Sequence, residues 1–159
     1  MSELDIFFMQ EAIKEAQKAF LLGEVPVGAV IVKDNEIIAR SFNMRETTQN
    51  AIKHAEILAI EKACDYLKSW RLIDCDLYVT LEPCAMCAGA ILLSRIRKVV
   101  FGAKDPKFGS IVSITNILDI EKYNHKVHYE YGILEEECSR ILKDFFVTLR
   151  KAKKDCEKK

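Results

Sequence analysis

No stretch of this sequence approaches the ~20 consecutive apolar residues that a membrane-spanning helix needs. The opening residues, Met1-Ser2-Glu3-Leu4-Asp5, lack the basic and then apolar order of a secretory leader, so the expectation is a cytoplasmic protein with no membrane association. An excess of charge is missing as well, because 24 Lys and Arg balance 24 Asp and Glu. Proteins that hold long nucleic acid mainly by neutralising phosphates carry a basic surplus, so that class is disfavoured and only a local patch stays open. Internal repeats, low-complexity segments and linkers are absent. Paired cysteine spacing is nearly so: six cysteines are spread unevenly, which in a reducing compartment suits metal ligands and buried thiols better than a disulfide framework. What is present is 159 residues with 50% hydrophobic content, enough for one domain spanning residues 1–159 around one core and one site.

Hydrophobic spacing supplies the element order. Met9, Ala12, Ile13, Ala16, Ala19 and Phe20 recur at helical intervals over Ile6 to Leu22, and Gly23 ends the run. The β-branched segment Val25 to Val32, a turn at Lys33 to Glu36, and Ile37 to Phe42 read as a hairpin. Gly28 inside the first strand marks a close approach by a ligand or another backbone, or a bulge. A polar stretch from Asn43 to Asn50 precedes a second helix near His54 to Tyr66. Leu77 to Thr80 is a strand, Cys84 to Ser94 a helix, and Lys98 to Phe101 a strand. A loop follows from Gly102 to Gly109, then a helical turn near Ile114 to Leu118 and an edge strand at Lys126 to Tyr131. The final helix runs from about Leu134 to Lys153. Right-handed crossovers make the later strands parallel while the hairpin is antiparallel, so the sheet is mixed. The end of the chain is basic at about 150–159, where Arg150, Lys151, Lys153, Lys154, Lys158 and Lys159 face only Asp155 and Glu157. Either a solvated helix end or a nucleic-acid patch fits that run.

Two strings carry chemistry: His54-Ala55-Glu56 and Pro83-Cys84-Ala85-Met86-Cys87. Each opens a helix after a strand or loop, so both can face one crevice at the same edge of the sheet. One imidazole and two thiolates suit Zn2+, and three protein ligands leave a fourth tetrahedral position for water, the arrangement of a catalytic site. Two residues separate the cysteines, so one helical turn brings both sulfurs to one ion, and the helix amino terminus favours their thiolates. Glu56 stands in the same turn as His54, placed to move protons without ligating the metal. Alone, the cysteine pair would equally fit a structural zinc knuckle, a redox pair or helix packing, and His-x-Glu alone means little. Together, in this order and with a proline before the first cysteine, they match the signature of zinc deaminases. A closed structural site would want a fourth ligand, and Cys64, Cys75, Cys138 and Cys156 offer none in paired spacing. Cys64 and Cys138 fall on apolar helix faces and read as core thiols, Cys156 as a tail residue. His125 and His128 read as ordinary surface or edge-strand residues.

At this point the sequence resembles the cytidine deaminase superfamily and, within it, the bacterial tRNA-specific adenosine deaminases that make inosine at the anticodon wobble position. The matching strings include Glu24 to Val30, Asn43, His54 to Ile57, Arg71 to Asp74, Leu77 to Cys84, Met86 to Ala90, Val99 to Ala103, Gly132 to Leu134 and Asp144 to Phe146. The resemblance implies a three-layer α/β/α sandwich with a five-stranded mixed sheet, a homodimer, and one Zn2+ per chain on His54, Cys84 and Cys87, with Glu56 as proton shuttle. It implies that Asn43 bonds the flipped base, and that Val27, Gly28 and the Ala55 backbone line its pocket. The substrate it implies is a tRNA anticodon loop, whose unpaired bases are the easiest to extrude. Lys104, Asp105, Lys107 and Phe108, with Phe145, Phe146 and Arg150, are then the expected neighbours of flanking nucleotides, or else ordinary loop and core residues, one of the two adjacent rings facing inward. The chain departs from relatives at Asn50-Ala51-Ile52-Lys53, where they commonly carry Asp-Pro-Thr-Ala, and at Pro106-Lys107-Phe108, which puts an aromatic where many have a small residue. Two other readings stay open: a deaminase of a free base such as guanine or cytosine, and a zinc-stabilised RNA-binding module without activity.

Overall fold

Ser2 opens the first helix rather than a disordered tail. Its hydroxyl accepts from the Asp5 backbone N–H while the Asp5 carboxylate accepts from Ser2, a reciprocal cap that starts α1 at Glu3–Leu21, three residues before the apolar period begins. The computed structural model describes residues 2–159. After α1 come β1 (Gly28–Lys33) and β2 (Glu36–Phe42), joined through Asp34 and Asn35, both at positive φ as a tight antiparallel turn requires. The strand begins later than the run of β-branched residues suggests. Pro26 has no N–H to give, and the Val27 N–H folds back onto the Val25 carbonyl at 2.9 Å. The polar stretch contains a four-residue helix, α2 (Arg45–Thr48), which residue spacing did not reveal. Then follow α3 (Ala55–Leu67), β3 (Cys75–Leu81), α4 (Ala85–Leu93) and β4 (Lys98–Ala103). The expected turn is a short 3-10 segment at Ile117–Asp119, capped by Asn116. The chain ends with β5 (His128–Tyr131) and α5 (Glu135–Glu157).

The five strands are ordered β2-β1-β3-β4-β5. β1 is antiparallel to β2 and β3, and β3, β4 and β5 are parallel, which gives the mixed sheet expected from the connections. Period-two alternation then makes two cores. Ala29, Ile31, Leu77, Val79, Val99 and Phe101 face one side, where α3 and α4 supply Ala55, Ala59, Ala63, Ala88 and Ile91. Val30, Val32, Tyr78 and Val100 face the other, against Phe8, Met9 and Ala12 of α1 and Cys138 of α5. The result is a three-layer α/β/α sandwich. No helix among the described residues is long and apolar enough to cross a membrane.

Gly28 shows how closely the layers approach. A Cβ there would lie 2.0 Å from the Ala12 carbonyl oxygen and 2.4 Å from the Ala16 nitrogen, both backbone atoms of α1. Of the readings open for this glycine, the structure selects the approach of another backbone. What demands the missing side chain is helix packing, not a ligand.

Candidate active site

Parallel strands β3 and β4 end side by side, with Leu81 paired to Ala103, and the chain leaves β3 directly into Pro83 and Cys84 at the start of α4. Cys84 is the N-cap of α4 and His54 the N-cap of α3, both in extended conformation. Residues at such positions project from the helix end instead of along its flank, so two helix starts packed on one face of the sheet aim their side chains at one volume. Ser41 reinforces the alignment. Its buried hydroxyl donates to the Ala55 carbonyl at 2.6 Å, tying the end of β2 to the first turn of α3.

His54 Nδ1 lies 3.7 Å from Cys84 Sγ and 3.6 Å from Cys87 Sγ. A tetrahedral zinc, with Zn–S near ~2.3 Å and Zn–N near ~2.0–2.1 Å, separates its nitrogen and sulfur ligands by about 3.6 Å, so the three donors stand at the corners such an ion needs. All three atoms lie within 4.8 Å of one another, and among the described residues no further His, Cys or carboxylate joins the group. The donor set fits Zn2+ with one corner left over.

The charges agree with a cation site. Cys84 is pulled down to about 4, first by the hydrogen bond from the Cys87 thiol and then, against burial, by His54 and the Cys87 backbone N–H. Cys87 is pushed far above its ordinary value by that same bond and by burial beside Cys84 and Glu56. The two sulfurs therefore share one proton, which is what a dication replaces. His54 is raised by its bond with Cys84, with Glu56 adding to the effect. Glu56, almost wholly buried, is pushed up to about 7 by desolvation, opposed by its own backbone N–H, by His54 and by the Cys87 thiol. A buried carboxyl bonded to the Cys87 thiol beside His54, poised near neutrality, can take and return a proton.

The rim of the site is built from two loops. Asn43 follows β2, its N–H donating to the Val27 carbonyl at 3.0 Å, its amide nitrogen to the Val25 carbonyl at 3.3 Å, and its side-chain oxygen accepting from the Arg45 N–H at 3.2 Å. Val27, Asn43 and Ala55 are all buried, and they meet where β1, β2 and α3 join. The second loop, residues 104–113, is pinned to the metal corner by the Ser110 N–H donating to the Pro83 carbonyl at 2.9 Å. Lys104, Lys107 and Phe108 are exposed on it. Asp105 is occupied within the loop itself, accepting from the Lys107 and Phe108 N–H groups.

The last helix corrects one expectation. Phe145 is 6% exposed and packs edge-on against Phe20 of α1 at 5.7 Å, on the opposite face of the sheet from α3 and α4. It is a core residue, and the ring that meets solvent is Phe146, at 41%. Arg150 sits exposed on the distal half of α5. Cys138 is buried and Cys156 exposed, as their positions suggested, while Cys64 is only half-buried.

Sequence reading missed two residues here. Glu24, fully buried, accepts from the Glu46 and Thr47 N–H groups at 2.9 and 2.8 Å and so caps α2, which has no side-chain cap of its own. Glu82, 2% exposed, accepts from the backbone of the 104–113 loop. A signal was present for both: each is an acidic residue set beside apolar residues and a proline at a strand boundary, where a carboxylate is buried only if backbone donors meet it.

Known proteins resemble this one along nearly its whole length. The MafB19-like deaminase family matches residues 2–150. A tRNA-specific adenosine deaminase of Bacillus subtilis is 56% identical over 154 residues, 97% of this chain and 96% of that protein. A solved structure from work on A-to-I editing by tRNA:A34 deaminases superposes with a TM-score of 0.83 at 43% identity, over 86% of this chain and 99% of that one. A guanine deaminase of Bacillus subtilis is 40% identical with a TM-score of 0.60, over 65% of this chain and 66% of that one. With these matches joined to the two helix starts that carry His54, Glu56, Cys84 and Cys87, the chain belongs to the tRNA-specific adenosine deaminases of the MafB19-like deaminase family.

Proposed function

We propose that this protein is one catalytic domain that hydrolyses adenosine to inosine at the wobble position of a tRNA anticodon, using a zinc ion held by His54, Cys84 and Cys87. The observation that supports the reading is the three-donor geometry with a buried carboxyl bonded to one of its thiols. Zn2+ supplies a Lewis acid there, bringing water to an acidity near ~pH 7. Glu56 takes the proton of the attacking water and delivers it to N1 of the purine. It then moves the remaining hydroxyl proton to the amine as the C6–N bond breaks, so that water and adenosine become inosine and ammonia. Burial serves this role, because an apolar surrounding keeps the carboxyl close to neutrality, where it both accepts and donates.

Asn43 orients the base, its amide already fixed by backbone partners and still offering one N–H and one lone pair. Val27, the Gly28 backbone and Ala55 form the wall of the pocket. Lys104, Lys107 and Phe108 meet the flanking nucleotides, with Arg150 as an outlying phosphate contact. The family points to a homodimer acting in the cytoplasm, and exposed Tyr66, Trp70 and Leu93 give the α3–α4 side apolar surface for a second copy.

A second reading, deamination of a free base, is favoured by the balanced charge and by the guanine deaminase neighbour. Offering the purified protein an arginine tRNA with adenosine at the wobble position, beside free cytosine, guanine and adenosine, separates the two. Inosine in the tRNA is expected. Ammonia released only from the free bases would establish the second reading.

A further inference from the structure

The two ends of the 104–113 loop are tied together through a single carboxylate. Glu82 leaves β3 one residue before Pro83, and its own N–H donates to the Ala103 carbonyl at 2.8 Å. One carboxylate oxygen accepts from the N–H groups of Ile111, Val112 and Ser113 at 3.2, 2.9 and 3.0 Å. The other accepts from the Asp105 N–H at 3.2 Å and from the Ser113 hydroxyl. Five donors from both ends of the loop therefore converge on one buried group. Gly109 is shaped to the same end, since a Cβ there would sit 2.4 Å from the Glu82 carboxyl carbon and from one of its oxygens.

The hydrogen bonds run outward to the tip. Asp105, held by Glu82, accepts in turn from the N–H groups of Lys107 and Phe108, and the Gly109 N–H donates to the Asp105 carbonyl at 2.9 Å. Phe108 thus stands 70% exposed on backbone whose N–H groups at Lys107, Phe108 and Gly109 are all bonded. An exposed aromatic ring on ordered backbone is a stacking surface for an unpaired base, prepared before the ligand arrives. Beneath the loop, the Ser110 bond to the Pro83 carbonyl links it to the corner occupied by Cys84.

We propose that Glu82 is a positioning residue of substrate binding: its carboxylate fixes the 104–113 loop against the Pro83–Cys84 corner, so that Lys107 and Phe108 meet the nucleotides flanking the reacting base already ordered. The proposal rests on the tRNA reading. It assigns Glu82 no part in the chemistry. A displaced loop withdraws its contacts, so the protein then binds without the share of affinity that Lys107 and Phe108 supply.

The test is a double-mutant cycle on an anticodon stem-loop, with kcat, KM and zinc content measured for each protein. Glu82→Gln keeps the shape but turns an N–H2 donor toward N–H groups that need acceptors. Its expected effect is a rise in KM of about tenfold, which follows if the loop's base stack is lost, with kcat within about threefold and zinc retained. Phe108→Ala in the wild-type background raises KM about fivefold or more, the loss of one base stack, and has little effect in the Glu82→Gln background. Hydrogen exchange at the amides of residues 111–113 quickens in Glu82→Gln. Gly109→Ala, which pushes on the same carboxylate, reproduces the KM rise and serves if Glu82→Gln does not fold.

Multiplying effects of the two substitutions, or an unchanged KM with only a lower melting temperature, would overturn the proposal. So would loss of kcat together with zinc, which would place Glu82 in support of Cys84 instead. Wild-type protein that fails to deaminate the stem-loop overturns the tRNA reading itself, and the exchange measurement still decides whether Glu82 holds the loop.

Discussion

Replacing Glu56 by Gln keeps the side chain's shape and removes its capacity to carry a proton, and two quantities should respond in opposite directions. General acid–base participation contributes ~10²–10⁴ in rate, and Glu56 acts both at water attack and at amine departure. A fall in kcat of about 10³ or more is expected, equivalent to ~4 kcal/mol of barrier. Stability moves the other way. Burial raises this carboxyl to about 7 from an ordinary 4.5, so the folded chain at alkaline pH keeps out of water a charge that the unfolded chain leaves solvated. Stability tied to a raised carboxyl is complete below its unfolded value and is lost as pH climbs through the folded one. Between about 4.5 and 7 the loss amounts to roughly 3 kcal/mol, an upper bound at ~1.36 kcal/mol per unit. With zinc chelated and thiols reduced, the substituted protein should therefore resist urea better than wild type at about pH 8, and no better at about pH 4. Single-turnover inosine formation and urea titrations at the two pH values measure both arms. Turnover within tenfold of wild type, or a variant clearly less stable at about pH 8, would refute the assignment of Glu56 as a buried proton carrier.

Two further expectations concern the scaffold. Gly28→Ala places a Cβ against backbone atoms of α1 that cannot rotate away, so overpacking should cost ~1–3 kcal/mol and lower Tm by about 3–10 °C. Zinc content should be unchanged, and a variant with wild-type Tm would refute the packing argument. Burial works against ionisation of Asp5, but the Tyr78 hydroxyl at 2.6 Å, Ser2 and Lys98 outweigh it and hold the carboxyl far below its usual range. A depressed carboxyl stabilises above its unfolded value and loses that contribution as pH falls. Asp5→Asn should accordingly lower stability near neutrality by about 1–2 kcal/mol, while its acid limb below about pH 4 flattens relative to wild type. Parallel acid limbs in calorimetry would count against it.

Those parts of the fold that follow from short-range periodicity were readable from the chain. Alternating Val30, Ile31 and Val32, or Leu77, Tyr78 and Val79, feed two cores at once, which only a strand between two helical layers can do. The cluster of His54, Cys84 and Cys87 was readable too, because two of them share one helical turn and the third opens another helix. What escaped depends on partners far along the chain. Helix α2 exists because Glu24 caps it from 22 residues away, and its four residues have no period of their own. Which of Phe145 and Phe146 turns inward is decided by the phase at which α5 settles on Phe20, and neighbours in sequence do not encode that phase. Gly28 carried a signal without a sign, since absence of a side chain marks a close approach but not who approaches.

The two halves of the site are held by different physics, and this bears on what each can tolerate. The metal donors hang from helix starts packed on the sheet, so they move only if α3 or α4 moves, and both are locked into the larger core. Of the rim loops, only Ile111 and Val112 reach that core, and the rest depends on polar bonds. Residues 45–48 and 104–113 are ordered by Glu24 and Glu82, each a carboxylate whose burial is tolerable only while backbone N–H groups meet it. Losing one donor leaves the charge under-satisfied, so the bonds to a loop form or fail together instead of loosening by degrees. A site arranged this way can exchange loop sequences at the exposed tips, as at Pro106 to Phe108, without disturbing the cluster of His54, Cys84 and Cys87. Changes of substrate should then accumulate outside the two carboxylates, and changes of chemistry inside them.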